Sequence, residues 1–508
     1  MKFRSAYILT AAACLCACDK IIDIYPVENN SADQFYTSEY EINQAVIGIY
    51  SRLGRNGTNT DYPTDLYYQA LESRSDNLYY AVLANAQRDQ ADMRNFQCSD
   101  ITGLNTNIYK RLYSMINDAN TLLDRSPESY TRLRAEARFL RALAYFDLIR
   151  AYGPQPVLSS TVSAQEARTL DRQPVTDAYE QIIGDLEYAA ANLDDFYTGD
   201  DAGRAGSVAA TVLLGEVYVN MAGYPVYDSG AYRKAVDVLT PVMDKVATRW
   251  ADNFNDVFDI NHENTYDIFS VQFASGNQGM GSSLPAYISS GSSTETNFPE
   301  WVYPSYTQQG QDFRVDTLLV NDMKARGDLR LEKTVAEGYW TTTEHGYTQE
   351  DTLQFYEERC IMIKYLVKDN TNNTIKAWND YPLNCPILRP ADAYLLLAEA
   401  LVGVDRADDA AQYLNKVRRR AGLDDIASPT MDDIMYERRC EFIGEGKRFF
   451  DLVRQGEDVF LDTLQEFSDH YEHVTAMGAS NPSKKDMLLP IPQTVMNIHT
   501  HWDQNEGY

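Results

Sequence analysis

The densest chemistry in this chain is a run of charges near its C-terminus: Glu437, Arg438, Arg439, Glu441, Glu445, Lys447, Arg448, Asp451 and Arg454. Carboxylates at this density can serve as general acids and bases. Here they recur at helical spacing, with Phe442, Phe449, Phe450 and Leu452 set between them. That is the pattern of charges folded against an apolar layer. The expectation is a partly buried ion network, which sets geometry more than it adds net stability.

Other chemical signatures fail on spacing. Gly446-Lys447 ends like a phosphate-binding loop, but position 441 is Glu where that loop needs Gly. His262-Glu263 lacks the second histidine of a zinc protease helix. His470 and His473 share a helix face, yet no Cys or carboxylate pattern accompanies them, so they read as surface histidines and no metal is expected. A glycosidase needs two acids roughly 5 to 9 Å apart with separated pKa values. With 74 acidic residues, spacing along the chain cannot identify such a pair. A surface glycoside hydrolase therefore stays as the alternative to a binding protein. No catalytic residue is assigned.

The N-terminus carries a different chemistry. Lys2 and Arg4 precede a short apolar run, Ala6 to Leu15, followed by Leu15-Cys16-Ala17-Cys18. A basic start, a short apolar stretch and a small residue before the cut describe a secretory signal. Cys18, with Leu at −3 and Ala at −1, fits a bacterial lipobox better than Cys14 or Cys16. The expectation is a signal peptide over 1–17 and a lipid on Cys18, with several acyl chains holding the protein at a membrane. Beyond the signal, Cys98, Cys360, Cys385 and Cys440 match no zinc spacing. A Cys360–Cys385 disulfide and inert buried thiols both remain open.

Composition narrows the partners. The chain has 508 residues, 44% of them hydrophobic, ample for a large core. Its formal net charge of −29 repels phosphate backbones, so nucleic acid is excluded as a partner class. Tyrosine is abundant, 36 against 18 Phe and 5 Trp, and its ring suits both helix packing and stacking on sugars or peptides.

Those residues must be positioned by helices. From Glu41 the period becomes helical, with Ala45, Gly48 and Ile49 on one face. Arg132 to Tyr152 repeats apolar residues at three- and four-residue steps and stops at Gly153-Pro154. Tyr179, Ile182, Ile183, Leu186, Ala190 and Leu193 form the stripe of a partner helix. Leu214-Gly215-Glu216-Val217-Tyr218 has the L-G-x-x-Y spacing of a tetratricopeptide first helix, and Tyr232 to Leu239 supplies the second. A further hairpin covers Tyr394 to Val417, and Thr430 with Asp433 forms a capping box for another helix. Between these blocks, Trp250 to Cys385 lacks helical period, and Ser275 to Asn297 is rich in Gly and Ser. A large irregular insertion of this kind usually carries function. The fold class is mainly α: a tetratricopeptide-like helix-pair scaffold with a large loop-rich insertion. The expected boundaries are signal 1–17, leader 18–40, helical half 41–249, insertion 250–386, C-terminal repeats 387–460 and closing segment 461–508.

Taken in order, these motifs resemble the SusD/RagB family of Bacteroidetes surface lipoproteins over nearly the whole chain. The lipobox is followed by Ile22-Asp23-Ile24-Tyr25-Pro26 and Phe35-Tyr36-Thr37-Ser38, then by Tyr113 to Asn120. Arg134 to Pro154 is the most specific match. Ile387 to Ala400 is similar too, with Pro390 where an aromatic is commoner, and Glu437-Arg438-Arg439 through Arg454 matches the late charged helix. Leu489 to Pro492 and Gln504 to Tyr508 resemble the closing motif, with Glu506 in place of the usual Pro. The resemblance implies an outer-membrane, cell-surface position through the lipid on Cys18, a SusC-like TonB-dependent transporter as partner, no catalysis, and an oligosaccharide or peptide ligand. It also implies a shallow ligand face built from the segment before the first repeat and from the insertion. The candidates there are Asn77, Tyr79, Tyr80 and Phe96, and Trp301, Tyr303 and Tyr306.

Overall fold

The computed structural model describes residues 35–55, 57–80, 88–288, 313–337, 360–367, 375–471 and 482–508. Cys18, the expected signal and leader up to residue 34, Trp301, Tyr303, Tyr306 and His473 lie outside them.

Helix α1 (Glu39–Tyr50) begins with a capping box: Ser38 Oγ accepts from Glu41 N–H, and the Glu41 carboxylate accepts from Ser38 N–H. Its buried stripe is Ile42, Val46 and Ile49. Gly48 is exposed and Ala45 only half-buried. The expected face was therefore rotated, because the larger side chains on either side of Ala45 take the core. A π-helical stretch (Pro63–Leu71) and a 3-10 turn (Glu72–Arg74) lead into strand β1 (Leu78–Tyr80) and α2 (Arg88–Arg94).

The scaffold is a succession of helices, each packed on the last. Helix α3 (Gly103–Arg125) packs on α4 (Thr131–Tyr152), α4 on α5 (Val175–Asn192), α5 on α6 (Ser207–Ala222) and α6 on α7 (Ala231–Leu239). Helix α4 is buried on nearly all sides and ends where Gly153 takes φ +71°, a left-handed conformation that a side chain would resist.

After α7 the chain leaves the stack. The insertion contributes β2 (Phe269–Val271), β3 (Phe313–Val315), α8 (Thr317–Ala325), β4 (Val335–Glu337) and β5 (Cys360–Met362). The chain returns through β6 (Cys385–Leu388) into α9 (Pro390–Gly403), whose Pro390 sits in the first turn, where its missing N–H costs nothing. Helix α9 packs on α6 and α7, so the stack resumes as if uninterrupted. Helix α10 (Ala407–Arg420) pairs with α9, and α11 (Met431–Glu441) opens with the expected Thr430–Asp433 capping box. Helices α12 (Arg448–Arg454) and α13 (Glu457–His470) complete the fold. Among the described residues the strands form three two-stranded antiparallel pairs: β1 with β3, β2 with β6, and β4 with β5.

The C-terminal segment turns back over α4. Leu489 N–H donates to Ala151 O at 2.7 Å, and the Asn505 amide donates to Tyr152 O and Leu489 O. Cys98, Cys360, Cys385 and Cys440 are buried and none is in a disulfide, so the Cys360–Cys385 pairing that spacing left open does not form. Among the described residues no helix is long and apolar enough to cross a membrane.

Close helix approach at Gly215 is testable. A Cβ there would stand 2.6 Å from the Leu239 side chain, whereas one at Gly184 would meet nothing within 4 Å. Gly215→Val should cost about 1–3 kcal/mol through overpacking. Gly184→Ala, on the open face of α5, should stabilise by roughly 0.5–1 kcal/mol. Urea midpoints measure both, and equal midpoints would rule out a tight α6–α7 contact.

Candidate functional site

The first stretch expected to face a ligand contributes β1, which pairs with β3, the strand that follows the second stretch in sequence. Leu78 lies opposite Val315, Tyr79 opposite Arg314 and Tyr80 opposite Phe313. Residues 81–87 follow directly on Tyr80, and residues 289–312 directly precede Phe313. Segments more than two hundred residues apart in sequence thus enter the same edge of the molecule.

That pair is held by charge. Arg448 Nε meets Asp76 Oδ1 at 2.7 Å, and Arg439 Nη2 meets Asp76 Oδ2 at 3.1 Å. Arg439 also reaches Asp316 Oδ2 at 3.0 Å, and its Nε donates to Asn77 Oδ1 at 3.1 Å. Asp316 lies just past β3 and caps α8, accepting from the N–H groups of Leu318 and Leu319. One guanidinium on α11 therefore clamps the start of β1 to the end of β3. Burial by itself would raise the Asp76 pKa, but the cations of Arg439 and Arg448 hold it at about 2.

Aromatic packing supports the same pair from α13. The Tyr79 and Tyr471 rings stack with centroids 4.2 Å apart. The Tyr471 hydroxyl donates to Asp316 Oδ1 and accepts from Thr317 N–H, each at 2.8 Å. Phe467 packs on Tyr471, and the Arg94 guanidinium lies over Phe467.

Three of the residues expected to face a ligand are interior. Asn77 is fully buried, its amide donating to Glu72 Oε1 while its carbonyl accepts from Arg439. Tyr79 is 5% exposed under Tyr471, and Phe96 is 6% exposed beneath the Arg74 guanidinium. They brace the edge from within: Asn77 is held by Arg439, Tyr79 lies against Tyr471, and Phe96 lies under Arg74. Tyr80 stands at the end of β1, where the described chain stops. Sequence reasoning missed Asp76, Asp316 and Tyr471 as the residues that position this edge. Arg439 stood within the late charge cluster but without its partner, and Tyr471 had no signal beyond being a tyrosine.

The carboxyls pushed up to about 7 are engaged in structure. Burial raises Glu72, whose carboxylate accepts from Gly444 N–H at 2.7 Å and Gly446 N–H at 2.9 Å. Burial likewise raises Asp65, which meets Arg111 at 3.2 Å, and Glu263, which accepts from Asn384 N–H at 2.9 Å. Each fastens one segment of chain to another. The late charge cluster is an ion network, as its spacing predicts, and it is more deeply buried than that spacing implies: Glu437 and Glu441 are fully buried.

Asp76 creates a pH dependence. Its folded pKa of about 2 lies below the unfolded value near ~3.9, so the unfolded chain binds more protons between them and stability rises with pH. The stabilisation, up to about 2.6 kcal/mol by linkage, is complete above pH ~5 and declines as pH falls below ~4. Urea unfolding of Asp76→Asn should show a lower midpoint at pH 5 and a shallower loss between pH 5 and pH 3. A slope equal to that of the unsubstituted protein would remove Asp76 from this titration.

Comparison with known proteins agrees with this architecture. Residues 249–508 match the model of the SusD family, and residues 25–219 match a model described as starch-binding associating with outer membrane. The SusD-like protein P25 of Formosa agariphila is 24% identical, over 98% of this chain and 97% of that protein. A SusD homolog from Bacteroides thetaiotaomicron superposes with a TM-score of 0.79 at 21% identity, covering 94% of this chain and 98% of that one. Surface glycan-binding protein A from Bacteroides fluxus superposes with a TM-score of 0.76 at 22% identity, covering 93% and 100%. With the helix stack, the resumed repeats after the insertion and a family model spanning its C-terminal half, this chain belongs to the SusD family.

Proposed function

We propose that this protein binds a glycan at the cell surface and delivers it, without chemical change, to a SusC-like TonB-dependent transporter in the outer membrane. The observation that supports the reading is the β1–β3 pair, in which Tyr80 stands opposite Phe313, the strand residue seven positions after Tyr306. A shallow site for a flexible ligand needs flat apolar faces with a few amides and hydroxyls to orient it. Trp301, Tyr303 and Tyr306 supply three such rings within six residues, and Tyr306 is seven residues from Phe313. Seven residues span at most roughly 25 Å, which bounds how far Tyr306 can lie from Phe313. Family membership supports the surface role. The glycan class draws on the starch-binding description of the N-terminal family model and on the glycan-binding structural neighbour. Engagement of the raised carboxyls in chain-to-chain bonds supports binding without turnover. Cys18 is the residue that would carry the membrane lipid.

Trp301→Ala should lower affinity for the preferred polymer at least tenfold, because one lost stacking ring is worth on the order of 1–3 kcal/mol at a binding hot spot. Its melting temperature should stay within a degree or two of the unsubstituted protein, since exposed stacking residues contribute little to folding. Affinity electrophoresis against starch, laminarin and other polysaccharides finds the ligand, and calorimetry gives the ratio. Full retention of binding, or a large loss of melting temperature, would move the site elsewhere. Turnover of any of these polymers would overturn the reading as a binding protein.

Delivery and anchoring have their own tests. Detergent extracts of outer membranes should yield a co-purifying β-barrel transporter. Cys18→Ala should release the protein from membranes, and a membrane-bound, lipidated Cys18→Ala protein would refute the anchor.

A further inference from the structure

Helix α3 carries a groove that neither the clamped edge nor the repeat packing uses. At one end is a cleft of about 540 Å³, floored by Tyr109 and Tyr113 and walled by Pro156, Leu170, Val495 and Trp502. Its lining is mainly apolar ring and aliphatic carbon, because the Tyr109 and Tyr113 hydroxyls donate to Gln155 Oε1 instead. The Trp502 ring is fixed by stacking on His499 at 4.0 Å. At the other end is a depression of about 290 Å³ lined by Phe35, Tyr36, Gly48 and Thr121. Arg52 and Asp118 line both hollows and pair at 2.8 Å across the junction. Thr106, Lys110, Ser114, Asn117 and Thr121 recur at three- and four-residue steps, so one outer stripe of α3 runs under the whole groove.

We propose that this groove is the docking site of the chain's own leader, with the apolar run Ile21–Val27 seated in the Tyr109–Trp502 cleft. The first argument is where the described chain begins: Phe35 forms part of the groove's far end. The second is reach. From Asp118 to Thr106 is twelve helical residues, roughly 18 Å. The eight residues from Val27 to Phe35 extend to roughly 27 Å, enough to cover that stretch of α3. The third is chemistry. Ile21-Ile22-Asp23-Ile24-Tyr25-Pro26-Val27 is apolar apart from Asp23, matching the lining. Pro26 disfavours helix at Tyr25, which suits an extended strand in a narrow groove. Asp23 within the run and Glu28 just after it are acids that Lys110 on α3 could answer. Because the segment is tethered, its effective concentration at the cleft is high before any contact forms. Seated there, the leader brings Cys18 to the α3 face and so sets which side of the scaffold faces the membrane. The proposal does not depend on what the protein binds.

A photo-crosslinking amino acid in place of Tyr25 in the full-length chain tests it. The expected products are intramolecular, joining the leader to peptides 103–117 and 490–502. Two variants remove the contact from opposite sides: Ile22→Asp with Ile24→Asp in the leader, and Ser114→Trp filling the cleft. Each should cut the crosslink yield at least tenfold and speed amide exchange in 494–502, with the melting temperature held. Crosslinks to a transporter, to a second copy in an isotope-mixed sample, or to another face of the chain would overturn the proposal. So would a yield unchanged by both variants.

Discussion

The structure depends on a buried ion network that joins the insertion to the last repeats. Glu441 receives Arg330 at 3.1 Å and Arg389 at 2.8 Å, and Arg420 as well. Arg330 also meets Glu437 at 2.7 Å and Asp328 at 2.6 Å. Glu445 receives Arg389 at 2.7 Å and Lys364 at 2.8 Å, and Arg418 reaches Glu437 at 3.1 Å. Among these described residues Arg330, Lys364, Arg389, Arg418 and Arg420 face Asp328, Glu437, Glu441 and Glu445, so charge nearly balances inside the network. Burial opposes ionisation of Glu441, yet Arg420, Arg389 and Arg330 hold its carboxyl well below the usual range. Removing one partner from such a set costs about 3–5 kcal/mol, because the others are left buried and uncompensated. The network therefore acts as a geometric constraint: Arg330 and Lys364 from the insertion have one place to go.

The clamp at the candidate face extends the same device. Arg439 lies between Glu437 and Glu441 on α11, pointing to Asp76 and Asp316 while its neighbours point to Arg330 and Arg389. One helix thus positions the insertion on one side and the β1–β3 edge on the other. Glu72 ties this region to the turn after α11 through Gly444 and Gly446, and Asn77 links Glu72 to Arg439. A binding face built from loops gains affinity when its supports are rigid, because less ordering is left to occur on binding. Here the strand pair is charge-clamped at its Asp76–Asp316 end and ring-stacked at Tyr79.

Much of the fold was legible in the chain. Helix periodicity located α4, α6 and α7 within a residue or two and found the apolar stripe of α5 while missing its first turn, because an amphipathic stripe is a local property. The loss of period after Trp250 marked the insertion, and the return of period at Tyr394 marked the resumed stack. Interleaved Phe442, Phe449 and Phe450 identified the late charges as structural. The face of α1 was misassigned, since a weak stripe of small residues competes with a stronger one formed by Ile42, Val46 and Ile49. Asn77, Tyr79 and Phe96 were read as ligand-facing because tyrosine, asparagine and phenylalanine serve equally in a site or under it.

By itself, then, the sequence determined the helical class, the succession of repeats, the place of the interruption and the structural character of the late charge cluster. These follow from spacing within ten or twenty residues. Tertiary structure alone decided the partners: Glu437 meets Arg330 107 positions upstream, and Arg439 meets Asn77 362 positions away. It also decided that Cys360 and Cys385 form no disulfide, and that the strand before the first repeat turns Tyr79 inward onto Tyr471. The physical reason is that a charge or a ring advertises its need for a partner but not the partner's position. That is settled only when packing of the whole stack leaves one arrangement in which every buried charge is answered.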